Sequence, residues 1–204
     1  MRLVMLGPPG AGKSTQAQRV AAKYGIPHLP VGDMLREAAS SGAPLGLLVN
    51  DSMARGGLVS DEIVQAIVFK RLSDPSACNG FILDGFPRTI PQAEAFDRLL
   101  KERGLGLDAV IELKANDQTL LDRVAARSAN AVTRREPQRS DDNANVLRSR
   151  IEAYHKQTAP LLDYYRKRGL LHSVDGMLSI AKVEQAVDRI LTGISTEKAP
   201  DLDT

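Results

Sequence analysis

Residues Gly7-Pro8-Pro9-Gly10-Ala11-Gly12-Lys13-Ser14 satisfy G-x-x-x-x-G-K-[ST] at every fixed position, and no other stretch constrains the chain as tightly. Arg2-Leu3-Val4-Met5-Leu6 before it is an apolar segment of strand length. Ser14 to Tyr24 after it carries small and apolar residues at helical spacing. Strand, glycine-rich turn and helix thus occur in the order that a phosphate-binding loop requires. Glycines let successive N–H groups turn inward beside a helix N-terminus, where the dipole favours an anion. In such a loop Lys13 reaches the terminal phosphates, and Ser14 or the adjacent Thr15 holds magnesium. The loop alone leaves open whether the nucleotide is hydrolysed, sensed or used as a phosphoryl donor.

The rest of the sequence must supply a sheet for that loop to stand on. A length of 204 residues with 43% hydrophobic composition is enough for one core with insertions. No apolar run approaches the ~20 residues of a membrane span, and Met1 leads directly into the first strand without a secretory pattern, so a soluble cytoplasmic protein is expected. The lone Cys78 excludes an internal disulfide and a multi-cysteine zinc site. A net charge of +2 and the absence of Trp speak against a nucleic-acid surface, so clustered arginines point to a small polyanion. His28, His155 and His172 share no spacing that suggests a metal site or a general base.

Further strands are expected at Ile26–Leu29, Phe81–Asp84, Ala109–Leu113 and Leu170–Val174, with helices between them. The alternation is interrupted once. Val31 to Ala39 reads as a helix capped by Asp33, and two more helical patterns follow, from Pro44 to about Met53 and from Ser60-Asp61-Glu62 onward. Residues 30–59 therefore form a helical insertion between core strands. The apolar run Phe81-Ile82-Leu83 ends in Asp84, the form expected of a strand that brings a carboxylate beside magnesium, although an acidic residue before Gly85 can also simply begin a turn. Gly85-Phe86-Pro87-Arg88 and Gln92 follow at the strand end, where open α/β sheets bind ligands.

Several arginines lie where solvent-facing ones should not. Arg123 and Arg127, on a helix opening near Asp117, border the face marked by Leu120 and Val124. Arg150 falls within the stripe of Val146, Leu147, Ile151 and Tyr154, whereas Arg148 falls outside it. Residues 128–138 have no periodicity and read as a mobile loop, Pro160 should kink or divide the following helix, and a helix over Ser179–Leu191 precedes a polar tail, 195–204, expected to be disordered. With Arg36, Arg88 and Arg139 added, the positive charge exceeds what one triphosphate needs. Two phosphorylated substrates brought end to end account for it, since in-line transfer depends on positioning and charge neutralisation.

The segments Gly7–Thr15, Gly32-Asp33-Met34-Leu35-Arg36, Asp84–Arg88 with Gln92, Arg123 with Arg127, Arg139-Ser140-Asp141-Asp142 and Arg150 resemble those of the adenylate kinase family, over Met1 to about Leu191. The resemblance implies an α/β phosphate-loop fold in three layers, with a central parallel five-stranded sheet, a helical monophosphate-binding insertion and a short lid. It divides the chain into a core of 1–29, 60–127 and 139–194, the insertion at 30–59 and the lid at 128–138. It implies the reaction MgATP + AMP ⇌ 2 ADP in a monomer without structural zinc. ATP would be held by Gly10, Ala11, Gly12, Lys13, Ser14, Thr15, Arg123, Arg127 and the backbone near Leu178. AMP would be held by Val31, Arg36, Gly57, Leu58, Val59, Gly85, Phe86, Pro87, Arg88, Gln92, Arg139 and Arg150. Lys13, Arg88, Arg127, Arg139 and Arg150 would act on the moving phosphoryl group, with Ser14 and Asp84 serving magnesium.

Three positions depart from the family pattern. Ser14-Thr15 stands where Gly-Thr is common, Val31 replaces a threonine near the monophosphate, and Gln138 replaces a glycine before the lid arginine. A UMP/CMP kinase shares the loop and the Arg88 segment, but Gln92 argues against it. A guanine-nucleotide switch needs an Asn-Lys-x-Asp motif, which is absent.

Overall fold

The computed structural model describes residues 1–40, 44–55, 57–120, 122–123 and 144–197. Five strands, β1 (Arg2–Leu6), β2 (His28–Pro30), β3 (Phe81–Asp84), β4 (Ala109–Lys114) and β5 (Leu171–Asp175), form one sheet in the order β2-β3-β1-β4-β5. Every pairing is parallel. Parallel neighbours need crossover connections, and the intervening helices supply them. Alternate residues of β1 face opposite sides: Val4 and Leu6 join one core with Leu29, Leu83, Phe86 and Phe96, while Leu3 and Met5 join a second with Ile82, Ile111, Ala17 and Val20. Both faces are covered, so the central strands read as continuous apolar runs and the molecule has three layers.

The helices are α1 (Lys13–Tyr24), α2 (Val31–Ser40), α3 (Pro44–Ala54), α4 (Asp61–Leu72), α5 (Ile90–Glu102), α6 (Ala144–Ala153), α7 (Pro160–Arg166) and α8 (Ile180–Glu197). Residues 117–120 and 122–123 are also helical. Two expectations need correction. Helix α2 begins at Val31, directly after β2, so Asp33 lies inside its first turn and is ion-paired with Arg36 instead of capping the helix. Helix α8 continues to Glu197, so 195–197 are helical and not part of a tail. Its apolar residues Val183, Val187 and Leu191 are buried against the second core, and Ser195 Oγ bonds Leu191 O at 2.9 Å within the last turns.

Pro160 divides its helix as expected, and the division is a π turn over Tyr154–Thr158. Proline has no N–H and its ring displaces the carbonyl four residues back. The preceding Ala159 N–H instead reaches Tyr154 O, five back, at 2.8 Å. Leu147 and Ile151 of α6 lie in the second core, whereas Leu161 and Tyr165 of α7 lie in the first. The π turn therefore passes the chain from one side of the sheet to the other. No helix among the described residues is long and apolar enough to cross a membrane.

Candidate functional site

The order β3-β1-β4 places the strand before the phosphate loop between the strand ending in Asp84 and the next one, so the crevice opens at the carboxyl ends of the strands. Gly7 takes φ +139°, and a Cβ there would lie 2.6 Å from Leu113 O, so no side chain fits between loop and sheet. Gly12 takes φ +91° immediately before α1 and turns the loop into that helix. Lys13 Nζ donates to Pro8 O at 2.8 Å, folding its ammonium back over the loop. Ser14 Oγ donates to Asp84 Oδ2 at 2.5 Å, which joins the end of the loop to the end of β3.

Burial pushes the Asp84 carboxyl upward, but the His28 ring 3.5 Å away, the charge of Lys13 and the Ser14 bond together outweigh it and hold the group below the usual carboxylate range. Asp84 is therefore ionised at neutral pH. An ionised carboxylate beside a hydroxyl at the lip of a phosphate loop is a hard-oxygen pair of the kind magnesium takes, with water and phosphate completing its shell. The residues present fit that ion.

Opposite the loop, Gly32, Leu35 and Arg36 of α2 and Met53, Gly57, Leu58, Val59 and Val64 line the same cavity of about 240 Å³. Its wall also contains Gly10, Gly12, Lys13, Ser14, Thr15, Asp84, Gly85, Arg88, Gln92, Arg123 and Arg150. A smaller cavity of about 50 Å³ adjoins it between Gly7, Lys13, Pro87, Arg88, Arg150, Tyr154 and Thr158. Burial pushes the Tyr154 phenol up to about 12, with the Glu112 carboxylate adding to the shift, so Tyr154 is a neutral wall.

Arg88 is held by backbone and side chain alike. Its N–H donates to Gln92 Oε1 at 2.7 Å, its carbonyl accepts from Thr158 Oγ1 at 2.9 Å, and its Nε donates to Gly85 O at 2.8 Å. Gln92 Nε2 in turn donates to Asp61 Oδ1 at 2.6 Å, and Asp61 Oδ2 accepts from Thr89 Oγ1 at 2.8 Å. Thr89 caps α5 by accepting from the Gln92 N–H. On the far side Arg123 Nη1 donates to Gly176 O at 2.8 Å, tying helical Arg123 to the turn after β5.

Not every expected residue reaches the cavity wall. Ala11 turns inward from the loop into the second core, and Phe86 packs edge-on between Phe69 and Phe96 in the first. Val31, 1% exposed, also belongs to that core between two wall residues, Pro30 and Gly32, and contributes packing. Pro87 lines only the smaller cavity. Leu178 is exposed on the turn that Arg123 anchors and is outside the wall. Arg127, Arg139 and the expected lid at 128–138 lie outside the described residues. Asp61 and Thr158 were not singled out from sequence: each acts through a residue far away in the chain, and neither carries a motif. Met53, at the end of a helical pattern in the sequence, also lines the cavity beside Leu58 and Val59.

Comparison with known proteins agrees with this geometry. The family profile described as "Adenylate kinase" matches residues 5–170. An adenylate kinase of Azorhizobium caulinodans is 55% identical over 191 residues, covering 94% of this chain and 98% of its own. One from Nitrobacter hamburgensis is 53% identical over 191 residues, covering 94% and 92%. One from Methylobacterium nodulans is 48% identical over 199 residues, covering 98% and 100%. A phosphate loop and an arginine-rich wall facing one cavity, matched across nearly the whole length of these relatives, place the chain in the adenylate kinase family of phosphotransferase enzymes.

Proposed function

We propose that the 240 Å³ cavity is where this chain performs its family's reversible transfer of a phosphoryl group from ATP to AMP, giving two ADP. The observation that carries the reading is that one cavity has the phosphate loop on one wall, the 30–59 insertion on the other, and Arg88 and Arg150 in its lining. ATP lies along Gly10–Thr15 with its adenine toward Arg123 and the 176–178 turn. AMP lies between Arg36, Gly57–Val59, Gly85, Arg88 and Gln92. Arg127 and Arg139, with the 128–138 lid, complete the assignment on the strength of the family pattern.

In this arrangement the protein supplies no nucleophile. The AMP phosphate is the acceptor, and catalysis comes from alignment and from positive charge that meets the equatorial oxygens of the moving group. Lys13 lets go of Pro8 O to meet the terminal phosphate, Arg88 fixes the acceptor, and Arg150 borders both. Ser14 and Asp84 would hold magnesium, which when bound with ATP would supply positive charge against the phosphates, and Ser14 is preferred over Thr15 because its hydroxyl is the one bonded to Asp84. Tyr154 and the apolar residues of the insertion exclude water, which keeps the phosphoryl group from hydrolysis. We assign the chain as a cytoplasmic monomer without structural zinc, in line with its composition and lone cysteine.

The test is an ATP-consumption assay with AMP, CMP, UMP and GMP as acceptors in turn. AMP is expected to be the preferred acceptor, with magnesium required and two ADP formed per turnover. Equal or greater turnover with CMP or UMP would overturn the assignment of the monophosphate site.

A further inference from the structure

Gln92 lines the cavity, yet it is 1% exposed and both ends of its amide are already engaged. A backbone N–H can only donate, so the atom 2.7 Å from Arg88 N is the amide oxygen; a carboxylate can only accept, so the atom 2.6 Å from Asp61 Oδ1 is the amide nitrogen. The amide orientation follows from the chemistry of its partners and not from a choice between look-alike atoms. Each amide atom keeps one further capacity, an N–H on one side and a lone pair on the other, in fixed order.

We infer that Asp61 is a specificity-determining residue: by holding the Gln92 amide in one orientation, it makes the cavity select a 6-amino purine monophosphate over a 6-oxo one. The inference rests on AMP occupying this cavity. An adenine edge offers an acceptor at N1 and a donor at its 6-amino group, which a fixed N–H and carbonyl pair can meet. A hypoxanthine or guanine edge reverses both, with N1–H donating and O6 accepting. An amide free to rotate would satisfy either edge, as glutamine does when nothing restrains it. Asp61 is well placed to prevent rotation, because a turned amide would set its oxygen against the carboxylate and its N–H₂ against the Arg88 N–H. The second carboxylate oxygen is occupied by Thr89 Oγ1 at 2.8 Å, and Thr89 accepts from Gln92 N, so Asp61 is itself fixed at the first turn of α4.

The experiment compares kcat/KM for AMP with that for inosine 5′-monophosphate, whose base differs from adenine only in this reversed edge. Asp61→Ala should lower the AMP:IMP ratio about tenfold, the worth of one hydrogen bond to a charged group, with KM for ATP unchanged. Asp61→Ser, whose hydroxyl falls short of Gln92, serves the same purpose if the alanine variant does not fold. Asp61→Asn still offers a carbonyl oxygen to Nε2 and should keep most of the selectivity. Gln92→Ala separates the two levels of inference. If it leaves KM for AMP unchanged, AMP is not read at this cavity and the underlying placement fails. If it raises that KM while Asp61→Ala leaves the ratio at the wild-type value, or lowers both substrates equally, the role given to Asp61 is overturned.

Discussion

Thr158 Oγ1 donates to the backbone carbonyl of Arg88 at 2.9 Å, joining two residues 70 positions apart. Thr158 is 7% exposed and ends the π turn, and Arg88 projects from the loop after β3 into the cavity. The turn thus ties the helix that carries Arg150 to the loop that carries Arg88. π turns inside helices are frequent at functional sites because the extra residue re-aims the chain.

Removing that hydroxyl leaves a part-buried carbonyl without its partner. Thr158→Val should cost about 1–3 kcal/mol of stability, read by urea unfolding, and should raise KM for AMP while KM for ATP stays level. Thr158→Ser should restore both. Unaltered stability and unaltered AMP kinetics in Thr158→Val would show that the bond carries no weight.

In the proposed mechanism Lys13 and Arg88 act on charge that develops in the transition state. Lys13→Met and Arg88→Ala should each lower kcat by about a hundredfold or more, with circular dichroism and melting behaviour close to wild type. Near-wild-type turnover by either folded variant would remove that residue from the mechanism.

The depressed pKa of Asp84 has a consequence on the acid side. A carboxyl whose folded pKa lies below its unfolded value adds stability that is fully present above the unfolded value, near 4, and is lost as pH falls through the lower folded one. The source here is the Ser14, His28 and Lys13 environment, which outweighs desolvation. Between about pH 5 and pH 2 the wild-type protein should therefore lose melting temperature more steeply than Asp84→Asn. Parallel acid limbs would show that Asp84 is not depressed in the folded state. At neutral pH the same variant should require more magnesium for half-maximal activity.

Chelation distinguishes a catalytic from a structural metal. On the proposal that the two apolar cores hold the fold without a structural ion, EDTA should abolish turnover and leave the melting temperature unchanged. A clear fall in melting temperature, with zinc found in the purified protein, would contradict the assignment.

Sequence by itself determined the elements that depend on local chemistry. The glycines and Lys13 announced the loop, the apolar runs ending at Leu6 and Asp84 matched β1 and β3 residue for residue, and Arg150, set inside an apolar stripe and so expected to be paired or ligand-facing, lines the cavity. These are legible because periodicity and turn chemistry act over a few residues. Boundaries were less so: Asp33 looked like a cap because its type favours caps, but β2 runs into α2 without a turn, and Ser195 looked like tail because its residues are polar, although the helix continues beneath it. Tertiary structure alone decided which residues hold the functional ones in place. Asp61 reaches Gln92 and Thr89 from another helix, and Thr158 reaches Arg88 from 70 residues further along the chain. An aspartate at a helix start and a threonine before Ala-Pro are unremarkable in sequence. Their partners exist only once parallel strand order has brought the ends of β1 and β3, and the helices that follow them, to one edge of the sheet.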